Sequence, residues 1–219
     1  MTTAELISNH LSPLRLSDTA SIAAERMSEN SVREYPVVDG DKLIGVVRAE
    51  SIEALPPETP LSSVRESFEV VSAHPDDFFL VPLKLMHQQK LSLLPVTGEE
   101  GKYLGIVTVE EMVDAAAHYN AANEPGGIIL LQMPAIQFSI SEIGRIVESN
   151  NAKIIHLNTW NDPASGQLMV AIKVNKLEIQ DILATFERYE YHVMKYFGEN
   201  SSAEGLKLNF ENLMHYINL

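Results

Sequence analysis

Apolar and polar positions along this chain follow two rhythms that succeed one another and then repeat. Ile22, Ala23 and Met27 recur at helical spacing after Asp18, and Arg26 falls among them. Tyr35-Pro36-Val37-Val38 and Leu43-Ile44-Gly45-Val46-Val47 are short apolar runs on either side of Asp39-Gly40-Asp41, which predicts two strands joined as a hairpin. A second helix is expected from Ala49 to Leu55. The same succession returns downstream. Leu80, Leu83, Lys84 and Met86 follow Asp76-Asp77, then come Leu94-Pro95-Val96, Tyr103-Leu104-Gly105-Ile106-Val107 and a helix from Val109 to about Tyr119. Short approach segments, Leu11 to Leu14 and Val70 to Ala73, precede the two helix starts.

The recurrence is metrical. Asp18 and Asp77, Met27 and Met86, and Pro36 and Pro95 each lie 59 positions apart, while Gly45 and Gly105 lie 60 apart. One residue is therefore inserted in the loop from Thr97 to Lys102. Each copy reads strand, helix, strand, strand, helix. Three prolines in Pro56-Pro57-Glu58-Thr59-Pro60 forbid a continuous helix there and mark the link between copies.

Beyond Asn123-Glu124-Pro125-Gly126-Gly127, which reads as a linker, the pattern changes. Ile128 to Met133 is a buried-strand run. Ser139-Ile140-Ser141-Glu142 is a capping box that opens a helix with Ile140, Ile143, Ile146 and Val147 on one face, ended by Asn150-Asn151. Strands follow at Lys153 to Trp160 and Gln167 to Val174, then a helix carrying Ile179, Ile182, Leu183 and Phe186, then a strand from His192 to Phe197. This βαββαβ order is the split βαβ plan. In residues 199–219, Leu206, Phe210, Leu213, Met214 and Ile217 make one apolar stripe, expected as a helix packed on its own domain or docked on a partner subunit.

Composition narrows the function classes. The 219 residues contain no Cys, which removes disulfides, thiolate metal sites and cysteine nucleophiles, and fits a reducing compartment. The first residues lack a basic segment followed by an apolar core, and no window has the apolar length of a membrane span, so a cytoplasmic location is expected. Net charge is -14, which argues against nucleic acid and against an anionic membrane surface. The seven histidines show no metal spacing, and the acid pairs sit at a helix start and in a loop. No nucleophile elbow, phosphate-cradling loop or dinucleotide fingerprint occurs. No catalytic constellation is present, so a non-catalytic protein is expected. Trp160, alone before a turn, is expected to pack rather than to stack on a ligand.

The repeat, carried by Tyr35-Pro36-Val37-Val38-Asp39 and Leu94-Pro95-Val96 with their Leu/Ile-Gly-Val/Ile-Val strands, resembles the cystathionine-β-synthase (CBS) domain, found in pairs as a Bateman module. The part after residue 126 looks like an ACT domain, and the combination is similar to acetoin-utilisation B-type proteins. The expected fold is α+β. Two CBS repeats occupy residues 1–60 and 61–122, an ACT-like ferredoxin-like domain 126–198, and a helical tail 199–219. The resemblance implies a regulatory homodimer and a regulated partner protein. It also implies an adenosine-containing regulatory ligand (AMP, ATP or S-adenosylmethionine) held by a Gly-h-h-Thr/Ser-x-x-Asp motif, where h is apolar. The second copy matches as Gly105-Ile106-Val107-Thr108-Val109-Glu110-Glu111, with Glu111 in place of Asp. The first copy reads Gly45-Val46-Val47-Arg48-Ala49-Glu50-Ser51, where Arg48 could meet a phosphate but Ser51 offers no anionic acceptor. Val71, Ser72 and Ala73 on the approach segment complete the expected ligand set with Thr108 and Glu111. Thr-x-x-Glu is equally a helix capping box, and that reading of Thr108 and Glu111 stands beside the ribose reading. In the ACT-like part, Phe138 stands where that family usually has a Gly, which leaves either a different mode of amino-acid binding or a dimerising role.

Overall fold

A computed structural model describes residues 1–198, and the chain divides into two compact units after Tyr119. The expected C-terminal helix of residues 199–219 lies outside the described residues.

In the first unit, the first copy comprises β1 (Leu14–Arg15), α1 (Ala20–Glu29), β2 (Glu34–Asp39), β3 (Lys42–Arg48) and α2 (Ala49–Ile52). The second comprises α3 (Leu80–Gln89), β4 (Leu93–Thr97), β5 (Tyr103–Thr108) and α4 (Val109–Tyr119). The 59-residue metre survives in backbone detail. Leu14 pairs parallel with Val37, as Ala73 does with Val96, and the hairpins break register at Val37/Val38 and at Val96/Thr97. Asp18 accepts the Arg15 N–H at 2.9 Å, and Asp77 accepts the His74 N–H at 2.8 Å. Both aspartates, expected as helix starts, instead close the turn that leads into the helix. Thr19 caps α1 through its hydroxyl, whereas α3 begins three residues after Asp77. α2 is shorter than expected, ending at Ile52.

Each copy is completed by a segment outside its own repeat. Ser8 exchanges backbone bonds with Ile106 of β5 (2.8 and 3.1 Å), and Glu69 does the same with Val46 of β3 (2.8 and 3.0 Å). Met1, Leu6 and Ile7 pack on the core of the second copy, built around Phe79, Met86, Leu94, Val96 and Met112. Leu61 and Phe68 join the core of the first copy with Leu14, Ala23, Met27, Tyr35 and Val47. The strand glycines permit this crossing. A Cβ on Gly105 (φ +143°) would lie 2.5 Å from Ile7 Cγ2 and 3.0 Å from the Ser8 carbonyl oxygen, and one on Gly45 would lie 2.9 Å from Phe68 Cβ.

The second unit comprises β6 (Gly127–Met133), α5 (Ile140–Ser149), β7 (Ile154–Asn161), β8 (Leu168–Val174), α6 (Gln180–Arg188) and β9 (His192–Phe197). Its sheet runs β7-β8-β6-β9, with every neighbouring pair antiparallel, the ferredoxin-like arrangement. Ile129, Leu131, Val170 and Ile172 meet Ile143, Ile146, Ile182 and Phe186 in one buried core. Gly127, read from sequence as linker, is the first residue of β6, and a Cβ on Gly126 would overlap the carbonyl of Val174. These glycines serve close backbone approach. Trp160 does not pack as expected: it is 43% exposed, cross-strand from Met169 and out of register with the residues that face the helices. No helix among the described residues is long and apolar enough to cross a membrane.

Candidate ligand-binding site

The β5–α4 junction brings Thr108 and Glu111 together. Glu111 Oε2 accepts the Thr108 backbone N–H at 2.8 Å and also the Thr108 hydroxyl. This is the returning half of a capping box: a carboxylate one turn into the helix satisfies the amide just outside it. Both hydrogen bonds that Glu111 Oε2 accepts at this junction come from Thr108, within the second copy. Burial works to raise the Glu111 pKa, but the two bonds from Thr108, its own amide and the charge of nearby His10 outweigh it. The carboxyl is held below its ordinary range and stays ionised.

His10 arrives because residues 8–10 leave the antiparallel bridge beside β5, and its Nδ1 is hydrogen-bonded to Ser8 Oγ. It was missed in sequence because 98 positions separate it from Thr108. Only the crossing of the N-terminal segment brings it near.

The approach segment lies elsewhere on the sheet. Ala73 bonds with Pro95 and Thr97, and Ser72 Oγ lies 2.8 Å from Thr97 Oγ1. Thr108 is opposite Leu93, at the other end of β4. Three residues of strand, about 10 Å, separate the two positions along β4. Val71, Ser72 and Ala73 are thus not brought against Thr108 and Glu111.

At the equivalent position of the first copy stands Arg48. Its Nε and Nη2 donate to the two carboxylate oxygens of Glu69 at 2.8 and 2.7 Å, and Nη2 also donates to the Gln89 carbonyl at 3.0 Å. Arg48, expected as a phosphate partner, is occupied by the chain's own acceptors. Its cross-strand neighbour Glu34 is 2% exposed. Glu34 Oε1 accepts from the Ser92 hydroxyl at 2.7 Å, the Leu93 N–H at 2.9 Å and the Ser92 N–H. Glu34 also escaped notice in sequence. Its one signal is an acid at the position where the second copy has Leu93.

In the second unit, Phe138 packs partly buried against the core, so the loop before α5 is filled by a side chain. Gln132, Gln137, Gln167 and His192 line a depression of about 370 Å³ next to it. Ser139 accepts the Glu142 N–H at 3.3 Å, but the Glu142 carboxylate turns to Tyr191, whose hydroxyl donates to it at 2.7 Å. The expected capping box is half realised here, and the other half binds the helix to the end of α6.

Two interlaced copies, βαββα in the first and αββα in the second where the expected first strand shrinks to the single Ala73–Val96 bridge, define a tandem-repeat module with this junction, and the CBS domain matches it twice, over residues 4–58 and 50–118. The chain belongs to the CBS-domain family. It is 28% identical over 115 residues, 52% of its length, to inosine-5'-monophosphate dehydrogenase of Methanocaldococcus jannaschii, and spans 23% of that protein. To the same enzyme of Halobacterium salinarum it is 29% identical over 112 residues, spanning 22%. The chain thus covers about a quarter of these curated relatives. Among solved structures it is similar to a CBS domain pair/ACT domain protein of Thermotoga maritima (TM-score 0.50, 22% identity, 54% of this chain and 98% of that one). It is also similar to an acetoin utilization protein of Vibrio cholerae (TM-score 0.48, 25% identity, 57% and 96%). It is a tandem CBS-domain protein whose C-terminal unit has the ferredoxin-like βαββαβ fold.

Proposed function

We propose that this chain is a non-catalytic regulatory protein that binds an adenine nucleotide at the Thr108–Glu111 junction of its second CBS copy. One observation carries the reading: an ionised carboxylate and a hydroxyl meet where β5 enters α4. Glu111 is the acceptor a ribose diol requires, and the Thr108 hydroxyl, once released from Glu111, can donate to a phosphate. On binding, Glu111 exchanges the Thr108 hydroxyl for ribose hydroxyls. Binding regulates only if the nucleotide has different affinity for two arrangements of the protein.

The chain also self-associates as a homodimer in this reading. Val109 and Val113 are 47% and 60% exposed, and they border an apolar groove of about 250 Å³ lined by Leu83, Met86, Leu91 and Met112. Sedimentation that finds only monomer at micromolar concentration refutes this part.

A second reading, a ligand-free adaptor, is favoured by the same bonds, since Glu111 and Arg48 already have partners. Calorimetric titration with AMP, ATP and S-adenosylmethionine separates the two. The sensor reading expects saturable heat that Glu111→Ala abolishes. Absence of heat and of thermal stabilisation at millimolar nucleotide refutes the sensor reading. Binding that survives Glu111→Ala unchanged puts the ligand elsewhere.

A further inference from the structure

We infer that the first copy's ligand position is permanently closed by Arg48 and Glu69, so that each chain holds one nucleotide and not two. The inference rests on the Thr108–Glu111 reading above and adds to it the count of ligands and the residues that set it.

The two junctions are equivalent in backbone and opposite in side-chain chemistry. The amide opening α2 donates to Arg33 O at 2.7 Å (Ala49 N), as the amide opening α4 donates to Ser92 O at 2.9 Å (Val109 N). The scaffold of a second site is therefore intact. What differs is the direction of the side chains. At the second junction Thr108 and Glu111 turn to each other, and the bonds leave with them when a better partner arrives. At the first, Arg48 reaches out of its own copy to the last residue of α3, Gln89, while Glu69 grips the guanidinium in the bidentate geometry that makes such pairs strong and directional. The guanidinium thus spans from β3 to the second copy. Beside it Glu34 ties β2 to Ser92 and Leu93 across the same boundary.

Charge closes the position as well. Glu34, Glu50 and Glu69 all act on Arg48. An incoming polyphosphate meets three carboxylates around one cation that is already spent. Ser51, where the motif has its acid, offers the ribose no anionic acceptor.

The experiment is a calorimetric count of ATP bound per chain, in the wild type and in Arg48→Thr/Ser51→Asp/Glu69→Gln, which restores both motif positions of the first copy and removes the carboxylate of the clasp. The expected counts are one for the wild type and two for the variant, and Thr108→Ala/Glu111→Ala lowers each by one. Two equivalents in the wild type overturn the closure and leave the nucleotide reading standing. One equivalent in both proteins also overturns it. Arg48→Ala/Ser51→Asp/Glu69→Ala serves as a second opened variant should the first misfold. No heat in any protein refutes the nucleotide reading and with it the count of one. The clasp is then judged alone by a double-mutant cycle. Arg48→Met and Glu69→Gln are each expected to raise the unfolding constant several-fold, and the double variant no further. Effects that multiply independently refute the clasp.

Discussion

Replacing Glu34 by Ala tests the contact that joins the two CBS copies most directly. Glu34 is 2% exposed and Leu93 is 0% exposed, so water does not reach the Leu93 amide once its acceptor is gone. A buried amide left without a partner costs about 1–3 kcal/mol, and Ser92 loses two bonds from a more accessible position. The sum for Glu34→Ala is about 2–4 kcal/mol. Glu34→Gln keeps a carbonyl oxygen in place and loses only the charge assistance, about 1 kcal/mol. For a cooperative unit of this size, each kcal/mol lowers the melting temperature by roughly 4 °C. Thermal unfolding followed by far-UV circular dichroism should therefore place Glu34→Ala roughly 8–16 °C below wild type and Glu34→Gln roughly 4 °C below. If the Ala variant melts within about 2 °C of wild type, the orphaned amides find other partners and the accounting is wrong. If Gln is as damaging as Ala, the charge matters and the count of acceptors does not.

Gly105→Ala should cost about 3 kcal/mol in denaturant titrations, because its Cβ meets Ile7 and the Ser8 carbonyl at a positive φ. Gly144→Ala, in α5 with open space around it, should gain about 0.5–1 kcal/mol; a loss there would show that the position is covered. Burial and the bond to Glu142 push the Tyr191 hydroxyl up to about 12, from an ordinary 10.0. The raised value means that its contribution is fully present below pH 10.0 and lost as pH rises toward 12. Trp160 fluorescence, the sole tryptophan signal, should show the second unit weakening over that window, and Tyr191→Phe should flatten it. Glu111 behaves in the opposite sense. Its lowered pKa gives stability that is present above 4.5 and lost as pH falls through the folded value, so Glu111→Gln should remove that part of the acid limb in pH-dependent melts. An unchanged acid limb would show that the bonds to Thr108 contribute nothing.

The elements were legible where the apolar rhythm is dense. The two hairpins, the βαββαβ succession and the 59-residue metre all stand in the structure, because local pattern and packing agree there. Less legible was whatever depends on long-range crossing. Ser8 beside Ile106 and Glu69 beside Val46 leave no periodic trace, since a single bridging residue has no period. The candidate site suffered in the same way. Thr108 and Glu111 were readable as neighbours because one helical turn joins them, whereas His10 and Glu69 come from the crossing segments. The two capping boxes are genuine sequence signals, yet each forms only half. Glu142 found Tyr191, and Glu111 answered Thr108, because a carboxylate takes the best donor that tertiary packing supplies.

The interlacing of the two copies has a consequence for synthesis. The first copy can close once Glu69 is translated, a short step beyond its own hairpin. The second cannot close on a later segment, because its edge was made first. Ser8 waits until Ile106 appears, and at about 5–20 residues per second that interval is roughly 5–20 s of exposed strand edge. During that time Leu6 and Ile7 have no core to enter. Cutting the chain between the copies would leave each half with a foreign edge and without its own. The unit that repeats in sequence and the unit that folds are therefore offset from one another by the width of one strand.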